Sequence, residues 1–258
     1  MGVKRGGLTG LAGLAGPRLA ALRTLAWEVA HVPAHRWMTM TDRTPPASLA
    51  SPATTKGAPV VLLPGIYEPW RYLLPLARAL HEAGHPVIVV PELGFNRAGL
   101  DEAVEIAVAA LTAADVRGGV LVGHSKGGLI GKALLLDERV AWRLRGLVSL
   151  CTPWQGARWS FRLLGRTPLA LFARTGRELS GLASSEGVDA RITSLQPAWD
   201  QFIPEPVAPA GARGIVLSVS GHLRPLLEPG VHEIVVDEVA RLASSGGESD
   251  WLAEEGST

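Results

Sequence analysis

A single cysteine, Cys151, occurs among 258 residues, which excludes an internal disulfide and any zinc site built from cysteine pairs. Charge of either sign is scarce in excess: 25 basic side chains stand against 24 acidic ones. That balance excludes attraction to nucleic acid by bulk electrostatics, and the scattered arginines read as a solvated surface. No uncharged run reaches the ~20 residues that span a bilayer. The N-terminal stretch is basic at Lys4 and Arg5 and apolar over residues 8–25, but Pro17, Arg18 and Arg23 interrupt it. No small-residue cleavage site follows, so the expectation is a cytoplasmic protein. Gly128-Leu129-Ile130-Gly131-Lys132-Ala133 lacks the spacing and terminal hydroxyl of a phosphate-binding loop. Internal repeats are also missing.

What is present suits one domain of generous size. Residues 1–57 form an N-terminal arm and linker, the linker (41–58) marked by Pro45, Pro46, Pro52 and Gly57. Within the arm, Leu19, Leu22, Leu25, Ala26 and Val29 fall at helical spacing, with Arg18 and Arg23 off the stripe. The stripe is expected to pack against the main domain, the alternative being peripheral contact with a membrane surface. Six short apolar runs follow, at 59–63, 86–90, 119–122, 146–150, 191–195 and 215–219. Continuous rather than alternating hydrophobicity predicts strands buried on both faces of a parallel sheet. Helical patterns at 70–83, 100–114, 129–136 and 232–243 alternate with them. The expected fold over 58–243 is therefore α/β, a doubly wound, mostly parallel sheet with its site at the carboxyl ends of the strands. Residues 154–189 are too many for an ordinary connection. With Trp159, Phe161, Leu163, Leu164, Leu169, Leu171 and Phe172, they predict a small helical cap, or more plainly a helix packed on the body. The tail, 244–258, is expected to be flexible.

The stretch with the most chemistry is Gly119-Val120-Leu121-Val122-Gly123-His124-Ser125-Lys126-Gly127-Gly128. An apolar run leads into Gly-x-Ser-x-Gly ahead of a helical pattern, the arrangement of a nucleophile elbow. Small residues are needed on both sides of the serine because a Cβ would strike the neighbouring strand or helix.

A serine hydroxyl needs a base to take its proton, and the imidazolium that forms needs an acid to orient it. His222, in Ser220-Gly221-His222-Leu223 at the end of the last apolar run, is the best base. His232 reads as a helix-start residue, and His31, His35, His81 and His85 as surface or capping residues. Asp200 is the expected acid, on a proline-flanked loop after the penultimate strand, with Glu205 and Asp189 as weaker options. Cys151, after Val148-Ser149-Leu150, reads as a small core residue. Two backbone N–H groups should face the developing oxyanion: that of Lys126 after the nucleophile, and that of Ile66 in Leu63-Pro64-Gly65-Ile66-Tyr67. The Lys126 ammonium is expected either to hold a carboxylate or anionic substrate group, or to be exposed. Tyr67, Trp154 and Trp159 are the candidate substrate-binding residues.

Leu63-Pro64-Gly65-Ile66, the Gly123–Gly128 elbow, Cys151-Thr152-Pro153-Trp154-Gln155-Gly156, Asp200 and Gly221-His222 together resemble the α/β-hydrolase superfamily. The chain looks most similar there to bacterial lipases and esterases, over residues 58–243. Pro64, Trp154 and Cys151 depart from the frequent His of the first loop and the Gly-Thr-Pro-His stretch. The resemblance implies Ser125 as nucleophile, Asp200 as acid, His222 as base, and Ile66 with Lys126 as oxyanion donors. It implies hydrolysis of carboxylic esters, lipid-like or otherwise apolar, with no metal or organic cofactor. Acyl transfer or thioester hydrolysis would use the same groups, and a non-catalytic binding protein of this fold is the further alternative.

Overall fold

The computed structural model describes residues 12–55, 57–156, 181–182, 185, 187–203 and 207–245. Within them six strands form one sheet: β1 (Val60–Leu63), β2 (Val87–Val89), β3 (Gly119–His124), β4 (Leu144–Leu150), β5 (Ile192–Pro197) and β6 (Arg213–Leu217). Their order is β2-β1-β3-β4-β5-β6, and every neighbouring pair is parallel. The six apolar runs are these six strands. β1 to β4 are buried almost throughout, as a sheet covered on both faces requires.

Side-chain alternation divides the core in two. Val60, Leu62, Val120, Val122, Val148 and Leu150 face one side, where they pack with α3 (Leu74–Glu82) and α6 (Pro229–Ser244). Val61, Leu63, Leu121 and Leu147 face the other, against α4 (Leu100–Ala113) and α5 (Lys126–Leu136). Strand order reverses at β1, with β2 on one side of it and β3 on the other. Leu63 and Gly123 are register partners at the carboxyl ends of β1 and β3, so the two loops that leave them begin side by side. Such a reversal leaves a crevice in which sheets of this kind place their sites.

The arm departs from expectation. It forms a long helix, α1 (Ala12–Thr41), but its apolar stripe does not pack on the domain. Leu22, Leu25, Ala26 and Val29 are exposed, as are Trp37 and Met40, while Thr24, Glu28, His35 and Thr39 are buried. The side chain of Leu19 lies outside the described residues. The inversion has a physical cause: the surface beneath the helix offers backbone polar groups, and burying them without partners is costly. His35 Nε2 pairs with Tyr72 O at 3.0 Å, and Glu28 accepts backbone N–H bonds from Leu223 and Arg224.

The linker is also docked. A short helix, α2 (Pro46–Ala50), buries Leu49 in the core, and Arg78 meets Asp42 at 2.7 Å. Most of the expected cap, with Trp159 and Phe161 to Phe172, and the tail beyond Ser245 lie outside the described residues. Among the described residues no helix is long and apolar enough to cross a membrane.

Candidate active site

Ser125 stands between the end of β3 and the start of α5, with φ 51° and ψ −116°. That strained left-handed conformation is the geometry of a sharp strand-to-helix turn. The glycines around it are required by contact. A Cβ on Gly123 would strike the backbone of Gly127 and Gly128, one on Gly127 the carbonyl of Leu63, and one on Gly128 the side chain of Thr152. Ser125 N–H donates to Leu150 O at 2.8 Å, tying the turn to β4. Among the described residues Ser125 Oγ makes no hydrogen bond, to His222 included; the imidazole's hydrogen bond there is to Asp200.

Asp200 and His222 meet. His222 Nδ1 lies 2.7 Å from Asp200 Oδ2, with both side chains buried. The other carboxylate oxygen, Oδ1, accepts N–H bonds from Phe202 at 2.7 Å and Ile203 at 3.1 Å. Burial opposes ionisation of Asp200, but the His222 ring and these two amides outweigh it and hold the carboxyl below its ordinary value. Burial likewise opposes charge on His222, but Asp200 outweighs it, and the imidazole is raised above its ordinary value, with Glu68 and Glu28 acting in the same direction. The Phe202 ring stands edge-on to the imidazole at 5.1 Å. Of the weaker acid options, Asp189 pairs with Lys132 at 2.7 Å in a buried ion pair, and Glu205 lies outside the described residues.

His222, the candidate base, is tied to the turn at Ser125 by His124, the residue before the serine. His124 Nε2 donates to His222 O at 3.0 Å, and its Nδ1 pairs with Glu68 Oε2 at 2.8 Å. The rings of His124 and His222 lie 4.9 Å apart. Glu68 Oε2 also accepts the N–H of Gly65 at 2.7 Å, so one buried carboxylate joins the loop after β1 to the elbow. Sequence reasoning missed Glu68 and His124. The position of His124 inside the elbow motif was the available signal; Glu68 carried none.

Ile66 is half-buried in the turn between Gly65 and Glu68, and its N–H has no partner among the described residues. Tyr67, at φ 60°, is exposed, with the Arg97 guanidinium 5.7 Å from its ring. Lys126 opens α5. Its ammonium is not exposed: Nζ is fully buried and donates to Asn96 O, Asn96 Oδ1 and Ala98 O at 3.1, 3.0 and 2.6 Å. It braces the loop after β2. Trp154 is buried with Leu182, Val188 and Ile192, and its indole N–H donates to Ser194 Oγ at 2.9 Å. Its ring thus packs in the core. Trp159 lies outside the described residues.

The remaining histidines are structural. His31, His35, His81, His85 and His232 each hold a backbone carbonyl, and His35 and His85 are buried rather than at the surface. Cys151 is fully buried, at φ 52°, a conformation glycine adopts without strain. One donor atom each from His124, Cys151 and His222 falls within 4.8 Å of the others. Both nitrogens of His124 are already hydrogen-bonded, however, and burial pushes the Cys151 thiol well up. A thiolate ligand is disfavoured there, and the set does not suit a metal ion.

No protein-family model matches the chain, and no curated protein matches it. Solved structures do. A mature lipase from Bacillus licheniformis is 12% identical, over 73% of this chain and 95% of that one, with a TM-score of 0.58. An extracellular α/β-hydrolase from a Paenibacillus species is 13% identical, over 73% and 100%, at 0.55. A membrane phospholipase A described as a bacterial virulence factor is 16% identical, over 91% and 99%, also at 0.55. At these identities the likeness carries the fold.

Proposed function

Taking its α/β-hydrolase fold as premise, we propose that the chain is a serine hydrolase of carboxylic esters, acting through an acyl-enzyme on Ser125. The buried His222–Asp200 pair, 2.7 Å apart and bonded through His222 O to the neighbour of Ser125, carries the reading. Asp200 fixes the imidazole so that Nδ1–H faces the carboxylate and Nε2 is left to act as base. Ser125 Oγ attacks the ester carbonyl and its proton passes to Nε2. The N–H groups of Ile66 and Lys126 hold the oxyanion; removing one such donor costs about 10²–10³ in rate in related chemistry. The carbonyl re-forms, the C–O bond breaks, and His222 returns the proton to the leaving alcohol. Water then gives a proton to His222 and its oxygen to the acyl carbon, releasing the acid and restoring Ser125. These steps need no metal or organic cofactor.

The substrate class we assign is an apolar acyl ester, with Tyr67 at the mouth of the site. At the outer face of α1 the partner is an anionic lipid surface. Leu22, Leu25, Val29, Trp37 and Met40 are exposed there beside Arg23 and Arg36. Glu28, the one carboxylate in residues 1–41, is turned inward. Apolar area plus positive charge is what draws a helix to the interface of an anionic bilayer. A cytoplasmic location belongs to the same proposal.

A fluorophosphonate probe tests the central assignment. The wild-type chain is expected to be labelled once, on Ser125, and to hydrolyse p-nitrophenyl butyrate, with Ser125→Ala losing both properties. Labelling that persists on another serine in that variant would remove the nucleophile.

A further inference from the structure

We infer that Glu28, on the N-terminal helix, is a positioning residue for His222 and Asp200, so that the arm is a working part of the site. The inference rests on the serine hydrolase reading and adds a residue from outside the region whose motifs suggested it. Glu28 is 4% exposed. Its Oε1 accepts the N–H of Leu223 at 3.0 Å and that of Arg224 at 3.1 Å, and its Oε2 lies 3.3 Å from Leu223 N. These amides follow His222 directly and open the 3-10 turn Arg224–Leu226, whose first N–H groups have no partner within the turn. On the other side, Gln201 Nε2 donates to Glu28 Oε2 at 3.3 Å, and Gln201 follows Asp200. One carboxylate therefore holds the residue after the acid and the two residues after the base.

The packing around Glu28 is close. Gly221, just before His222, has φ 112°, and a Cβ there would collide with Glu28 Oε1 and press on Thr24. Gly221 N–H donates to Trp199 O at 2.8 Å and Ala198 N–H to Val219 O at 2.9 Å, so the two loops are braced against each other and Glu28 closes the brace. The helix that brings Glu28 is anchored independently by His35 on Tyr72 O, and a second contact with the same loop sets the Arg224 guanidinium 5.1 Å from the Trp27 ring. Charge agrees with geometry. Asp200, Glu68 and Glu28 favour the imidazolium form of His222, and among the described residues His124 and the Cys151 thiol also lie beside its ring.

The test uses the full chain with Glu28→Gln and Glu28→Ala. The glutamine keeps one acceptor oxygen and removes the charge, whereas alanine removes both. For Glu28→Ala, kcat on p-nitrophenyl butyrate is expected to fall about 10- to 100-fold with KM little changed, the scale of a displaced reacting group. Glu28→Gln should recover most of that loss. In both variants the acidic limb of the pH–rate profile and the NMR titration midpoint of His222 should move to lower pH. The titration does not require turnover, so it separates this inference from the serine hydrolase reading: an inactive wild type would sink that reading, while an unmoved His222 midpoint would sink this one. Glu28→Ala is read alongside its thermal unfolding. If Glu28→Ala loses only thermal stability, and Glu28→Gln keeps wild-type kcat and midpoint, Glu28 is structural and the inference is overturned.

Discussion

His124 Nε2 reaches the carbonyl oxygen of His222, 98 residues further along the chain, at 3.0 Å. Through that bond the residue before the candidate nucleophile holds the backbone of the candidate base, while its other nitrogen holds Glu68 and thereby the loop carrying Ile66. Three loops that leave different strands are joined at one imidazole, and the geometry of each depends on the other two.

The first consequence concerns Asp200, the candidate acid. Asp200→Asn keeps the shape of the loop but can present an amide N–H to Nδ1, which selects the wrong imidazole tautomer. Turnover of p-nitrophenyl butyrate is expected to fall about 10⁴-fold. A rate within tenfold of wild type would move the acid elsewhere.

Acidity provides the second. His222 must be neutral to act as base, and its pKa is raised, so the acidic limb of kcat/KM should lie above pH ~6.5, the ordinary histidine value. Stability runs the opposite way. The raised imidazole contributes stability below its unfolded value, and that contribution is lost as pH rises through the folded one. The lowered Asp200 contributes stability above its unfolded value of ~3.9, lost as pH falls through its folded value. The difference in Tm between wild type and Asp200→Asn should therefore be greatest between about pH 4 and 6.5 and shrink above that window. A difference that is constant across the range would contradict the coupling.

Lys126 offers a third. Lys126→Met removes the ammonium that satisfies Asn96 O, Asn96 Oδ1 and Ala98 O but keeps the backbone N–H. Buried acceptors left without donors should lower the unfolding free energy by about 3 kcal/mol, measured in urea. Turnover per folded molecule at 20 °C should stay within several-fold. A large loss of kcat with unchanged stability would mean that the ammonium acts in the chemistry.

The fourth concerns Gly221. Alanine there meets both an unfavourable φ and Glu28. The strain is about 1–3 kcal/mol, and because it is released by moving the loop that carries His222, kcat should fall more steeply than stability. Urea unfolding and kcat on one preparation decide it.

A fifth tests the outer face of α1. The wild-type chain should co-sediment with vesicles containing phosphatidylserine and much less with phosphatidylcholine alone. Leu22→Ser combined with Val29→Ser should abolish the difference. Concentration-dependent dimerisation lost in the same variant, without vesicle binding, would assign the face to a second copy of the chain.

Much of this was legible in the chain. Continuous apolar runs gave six strands to within a few residues, because strands buried on both faces carry their burial in their own composition. The elbow was legible because its glycines are demanded by contacts a few residues away. The meeting of Asp200 with His222 was legible from their places after strands. The arm misled, because an apolar stripe at helical spacing says that a face exists but not which way it points. Glu28, Glu68 and Lys126 misled or stayed silent for a related reason: a charged residue in a sequence looks solvated until its partners are known.

The order of elements along the polypeptide therefore determined the layered sheet and the sharp turn at Ser125 by itself, since hydrophobic periodicity and steric demands on glycine act over short stretches. Only the tertiary structure decided which polar groups meet in the interior. Glu28 finds Leu223 across 195 positions and His124 finds His222 across 98. Hydrogen bonds of that range have no local signature, because they exist only once packing has removed water from both ends.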